Sequence, residues 1–166
     1  MSLNTLNTAS EAEARHIFMQ CCTSEAWVDH MVQNRPYASV HALAVAGNQH
    51  WSCLQEEDYL QAFEGHPKIG DVESLSKKYR NTKELASGEQ SLVKEASKDV
   101  LHKLIDGNAA YETKFGFIFI VCATGKSAQQ MLSLLEYRLS NDRPTELVNA
   151  AEEQRKILQL RLEKLL

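Results

Sequence analysis

Lys114-Phe115-Gly116-Phe117-Ile118-Phe119-Ile120-Val121-Cys122-Ala123 is the stretch on which the fold class turns. Phe117 to Val121 is rich in aromatic and β-branched residues and, taken alone, reads as a buried strand. A strand needs a neighbour for its backbone N–H and C=O groups. The chain offers no second run of this kind, so the segment is expected to be helix or irregular backbone.

The rest of the chain carries helical signals on both sides of that stretch. Ser10 and Glu13 make a capping box, after which Ala14, Ile17, Phe18 and Cys21 recur on one helical face. Ser24 opens a helix through Trp27, Val28 and Met31 that stops near Arg35-Pro36, and Ser39 opens another running to about Trp51. A fourth covers roughly Glu56 to Phe63 and ends at Gly65. Residues 70–84 read as a loop or frayed helix. From Glu89 an amphipathic pattern passes through Leu92, Val93, Ala96, Val100, Leu101 and Leu104, with Asp106-Gly107-Asn108 as a candidate break or bend. Ser127 starts the next helix, Asn141-Asp142-Arg143-Pro144 is a turn, and Thr145 is expected to cap the last helix.

Composition fits a helical domain. With 7 Gly and 3 Pro in 166 residues there is little punctuation for many short strands. Apolar residues at 43% suffice for a core, and a net charge of −4 leaves no basic stripe for nucleic acid. No run approaches the ~20 apolar residues of a membrane span. The opening Met1-Ser2-Leu3-Asn4-Thr5 lacks a secretory pattern and the closing Lys164-Leu165-Leu166 is not a peroxisomal address, so a cytoplasmic location is expected. The 4 cysteines lack metal-ligand spacing and read as small buried hydrophobes.

Few residues are placed for chemistry. Of 6 histidines, His16, His30, His41, His50 and His102 fall within predicted helices as surface or partly buried side chains. His66 differs: Pro67 restricts the backbone after it and holds the ring on a loop. Glu89 and Gln90 follow Ser87-Gly88 at a helix start, where a carboxylate favours the helix dipole and unbonded N–H groups can bind an anionic or carbonyl ligand. On the last helix, Leu147, Ala151, Leu158 and Leu165 form the expected apolar stripe, with Gln154 and Arg161 inside it. An inward Arg needs an acidic partner or a ligand, and both remain open. Gly125-Lys126-Ser127 is not a phosphate loop, because Ile120 stands where its first glycine would be.

Three segments, His66-Pro67-Lys68-Ile69-Gly70, Ser87-Gly88-Glu89-Gln90 and the Lys114–Ala123 run, together make a signature. On it, the chain from about Phe18 to Leu165 closely resembles 2-oxo-4-hydroxy-4-carboxy-5-ureidoimidazoline (OHCU) decarboxylases, which finish the conversion of urate to (S)-allantoin. The resemblance implies a single all-α domain over residues 1–166, a bundle of about eight helices. It implies a carboxy-lyase with no metal and no cofactor, since the substrate carries its own electron sink in a C=N bond next to the carbon that loses CO₂.

By the same resemblance, His66 and Glu89 are the catalytic pair, with His66 the acid–base residue and Glu89 setting its charge or holding the substrate hydroxyl. Substrate binding falls to Pro67, Ala86, Ser87, Gly88, Glu89, Gln90, Ile118, Phe119, Ile120, Val121, Cys122 and Arg161. The family has a Ser at the place of Ala86, and Ser87 is the nearest hydroxyl here. Family members are commonly dimers, so a homodimer is expected; the other partner is the small-molecule substrate. Two other classes compete: a non-catalytic helical ligand-binding or scaffold protein of the same fold, and a hydrolase of the same pathway. The retention of His66, Glu89 and Arg161 argues against the first. The absence of metal ligands or an activated nucleophile argues against the second.

Overall fold

The computed structural model describes residues 1–66 and 98–166. Eight helices stand among them, α1 (Leu3–Thr8), α2 (Glu11–Cys21), α3 (Glu25–Gln33), α4 (Val40–Ser52), α5 (Glu56–Glu64), α6 (Lys98–Phe115), α7 (Ala128–Leu139) and α8 (Arg143–Leu165), and no strand. The fold is all-α. The readings for residues 70–84 and for the helix start at Glu89 lie outside the described residues.

Cap chemistry sets most of the boundaries. The Ser10 hydroxyl accepts from Glu13 N while the Glu13 carboxylate takes Ser10 N, and Ser127 and Gln130 repeat the box at α7. Ser24 and Ser39 cap α3 and α4. Each such cap contributes about 1 kcal/mol. The last helix starts earlier than the sequence suggests. Asp142 Oδ1 accepts from Thr145 N at 2.9 Å, so Asp142 caps and Thr145 lies in the first turn. Pro144 is tolerated there because first-turn N–H groups have no intrahelical partner. Helix α1, capped by Ser2, is an addition to the sequence reading.

The chain forms two compact units: residues 1–66 with 151–166, and residues 67–150. Helix α8 thus contributes Arg143–Ala150 to the second and Ala151–Leu165 to the first. The core of the first unit gathers Phe18, Trp27, Met31, Leu43, Leu158 and Leu162, all nearly inaccessible to water. Each such burial is worth roughly 1.5–3 kcal/mol. The indole nitrogens are satisfied inside it: Trp27 Nε1 donates to Gly47 O and Trp51 Nε1 to Ala151 O, both at 3.1 Å.

In the second unit α6 packs on α7. Asp106-Gly107-Asn108 neither breaks nor interrupts α6. Asn108 turns its amide back to Leu104 O, and Gly107 lets Leu135 approach so closely that an added Cβ would lie 2.6 Å from Leu135 Cδ2. After α6 the chain leaves the helix at Gly116, whose φ of 80° favours glycine. Residues 118–123 are then irregular backbone, one of the two outcomes the sequence allowed.

Candidate functional site

His66 lies just beyond α5. Gly65 closes that helix, and His66 N still reaches Phe63 O at 3.2 Å. The imidazole is half-buried, and its Nε2 is hydrogen-bonded to Oε1 of Gln154, which is 1% exposed. Gln154 belongs to the buried line of α8, where Gln154, Leu158 and Leu162 follow at four-residue steps. The expected stripe is therefore displaced: Leu147, Ala151 and Leu165 flank the buried line instead of defining it.

Arg161 stands two turns further along α8, about 10 Å by helical rise. It is half-buried, and its Nη1 donates to Cys21 O at 3.0 Å. This bond uses an end carbonyl of α2 that has no intrahelical partner. Of the two readings left open for Arg161, the structural ion pair is not formed among the described residues; a backbone carbonyl takes its place. Burial pushes the Cys21 thiol up to about 12 and the Cys22 thiol up to about 11, against a smaller lowering by the Arg161 charge. Both are neutral thiols at physiological pH, as small hydrophobes would be. Cys53 departs from that reading, for it is exposed at the end of α4.

In the second unit, Phe119, Ile120 and Cys122 are buried while Ile118 and Val121 are half-buried. What fixes this irregular segment is a polar network absent from the sequence reading. Arg138, 5% exposed, donates through Nη1 to Ile120 O at 2.6 Å and through Nε to Glu146 Oε2 at 2.8 Å. Tyr111 donates its hydroxyl to the same Glu146 oxygen, and Asn141 and Asn149 donate to the other. The guanidinium also lies over the Phe119 ring, 4.8 Å from its centroid. Burial alone would raise the Glu146 carboxyl, yet these hydrogen bonds and the Arg138 charge hold it below the usual range. A charged Arg–Glu pair thus clamps a backbone carbonyl in the middle of the Ile118–Cys122 run. A signal existed in the sequence, since Arg138 and Glu146 sit among apolar residues of two helices, but their pairing depends on packing.

Pro67, Ala86, Ser87, Gly88, Glu89 and Gln90 lie outside the described residues. Among the described residues no three His, Cys, Asp or Glu side chains gather as for a metal ion, and no helix is long and apolar enough to cross a membrane. A groove of 560 Å³ on the first unit, lined by Thr5, Thr8, Ala12, Glu13, His16 and Ile17, holds none of the predicted site residues.

A family model described as OHCU decarboxylase matches residues 7–163. The chain is 35% identical over 145 residues to the uric acid degradation bifunctional protein TTL of Arabidopsis thaliana, covering 87% of this chain and 45% of that one. It is 28% identical over 166 residues to the uric acid degradation bifunctional protein of Bacillus sp. (strain TB-90), covering 99% of this chain and 32% of that one. The chain therefore spans less than half the length of these two relatives. Among solved structures it is similar to a crystal structure of OHCU decarboxylase in the presence of (S)-allantoin. The TM-score is 0.74 at 30% identity, with 95% of this chain and 98% of that one covered.

Proposed function

Because the chain belongs to the OHCU decarboxylase family, we propose that it catalyses the cofactor-free decarboxylation of OHCU to (S)-allantoin and CO₂, the last step of urate-to-allantoin purine catabolism. The observation that carries this reading is the family match over residues 7–163, which spans all three segments of the sequence signature. Residues 1–166 act in it as a single catalytic domain, working in the cytoplasm as a homodimer.

The substrate holds a carboxylate and a hydroxyl on one ring carbon, beside the carbon that bears the ureido group. When the C–C bond to the carboxylate breaks, CO₂ leaves and the electron pair moves into the adjacent C=N system. The hydroxyl-bearing carbon ends as a ring carbonyl, and the ureido-bearing carbon takes a proton. The face that receives this proton sets the chirality of the product. What the protein must supply is orientation of the carboxylate out of the ring plane and a proton on one face. In this reading His66 is the acid–base group and Glu89 sets its charge state or holds the hydroxyl. Pro67, Gln90, and main-chain groups at Ala86–Gly88 and Ile118–Cys122, Phe119 to Val121 included, grip the ureido and ring amides. Arg161 holds the carboxylate or a ring carbonyl.

Support comes from the position of His66 at a helix exit, oriented by a buried amide, and from the rigid hold that Arg138 keeps on Ile120 O. The test is to supply freshly generated OHCU and follow product chirality by circular dichroism. Rapid appearance of (S)-allantoin is the expected result. Racemic allantoin at the rate seen without protein would sink the reading in favour of a non-catalytic relative.

A further inference from the structure

We propose that Gln154 is a positioning residue for His66: its side-chain carbonyl accepts from the imidazole Nε2–H, fixing the Nε2–H tautomer and assigning proton transfer to Nδ1. The inference deepens the reading above and rests on His66 being the acid–base group.

Three observations converge on it. First, an amide carbonyl oxygen has only lone pairs to offer, so the nitrogen facing it must carry a hydrogen whether the ring is neutral or cationic. Gln154 is itself uncharged. It orients the ring without the preference for imidazolium that a carboxylate partner would impose. A proton can therefore come and go at Nδ1 while the Nε2 bond stays in place.

Second, Gln154 is an expensive choice for packing. It is 1% exposed, and its own Nε2 has no hydrogen-bond partner among the described residues. A buried donor left unsatisfied is destabilising, and Leu158 and Leu162 show what the same line of α8 otherwise carries. Among the described residues, the one hydrogen bond this side chain makes is to His66. Third, His66 has just left α5, so the helix no longer dictates where its ring points. A contact that orients it comes from 88 residues away in sequence.

The experiment combines long-range proton–nitrogen NMR of nitrogen-15-histidine-labelled protein with steady-state kinetics and melting temperature. In the wild type, neutral His66 should show a protonated Nε2 and an Nδ1 lone pair. Gln154→Met keeps the volume but removes the acceptor, and Gln154→Glu keeps an acceptor. In Gln154→Met the tautomer should become mixed and kcat fall about 10-fold, the scale of one lost hydrogen bond, with KM within about twofold. Its melting temperature should not drop, because the unsatisfied donor is gone. Gln154→Glu should retain the Nε2–H tautomer.

A wild-type His66 protonated at Nδ1 instead would overturn the proposal by itself. So would a Gln154→Met protein with unchanged tautomer and kcat, and a lowered melting temperature in that case would assign the contact to stability alone. If Gln154→Met does not fold, loss of the tautomer in Gln154→Glu overturns it equally. The spectrum of the wild type does not depend on turnover. An inactive wild type with the Nε2–H tautomer would therefore reject the decarboxylase reading and leave the His66–Gln154 geometry standing.

Discussion

At the scale of single residues, the chemistry rests on whether His66 moves protons. Replacing it by Asn should reduce turnover ~10²–10⁴-fold, the usual worth of general acid–base assistance, and lower the melting temperature only modestly, through the lost hydrogen bond to the buried Gln154 Oε1. The ring is only half-buried, so few packing contacts are lost. If Glu89 acts through His66, Glu89→Gln should be severe as well, and the double variant no worse than the worse single. Steady-state kinetics on the three proteins decides this, and additive losses would give the two residues separate steps. His66 was legible in the sequence because Pro67 follows it, a local constraint. Gln154 was legible only as a polar residue on an apolar stripe. Its partner lies 88 positions away, and no periodicity encodes such a contact.

At the scale of elements, the clamp between α6, α7, α8 and the irregular segment is the most exposed to test. Arg138 and Glu146 are both almost fully buried, and four other groups complete their hydrogen bonding. Removing one partner strands the other charge, so Arg138→Met should cost about 3–5 kcal/mol in denaturant unfolding. Adding Glu146→Leu should recover much of that loss, as expected when a buried pair is replaced whole by apolar groups. A double variant less stable than Arg138→Met would mean that the pair does more than compensate its own burial. Helix starts were largely readable, because a Ser hydroxyl and the third residue onward form their bonds within one turn. The miss at α8 has the same local character: Asp142 and Thr145 both carry a capping oxygen, and Pro144 sits comfortably between them in the first turn. The aromatic stretch after Gly116 could not be resolved by propensity alone, since its backbone is held by an arginine from another helix rather than by a neighbouring strand.

At the scale of the molecule, stability should depend on pH in two steps. Burial, with the nearby His30, lowers the His50 pKa, and the two rings stack 5.1 Å apart. A histidine whose folded pKa is lowered contributes fully above its ordinary value of about 6.5 and loses that contribution as pH falls through the folded value. Glu146, also lowered, contributes fully above the ordinary glutamate value of about 4.3 and loses it as pH falls further. Melting temperature should thus decline first below about pH 6.5 and again below about pH 4.3. His50→Phe, which keeps an aromatic ring without the titration, should flatten the upper step; a rise in stability from pH 7 to 5 would contradict the His50 assignment. The burial pattern of the cysteines has another use. Cys53 is the one exposed thiol, Cys21 and Cys22 are enclosed in the first unit, and Cys122 is enclosed in the second. A maleimide of resolvable mass should therefore mark Cys53 promptly and the other three only as the native chain opens. Reading the order in which Cys122 and the Cys21–Cys22 pair become modified, by peptide mass spectrometry over time, turns the thiols into two clocks. Equal rates would mean that the chain opens all at once, and unequal rates would show which unit gives way first.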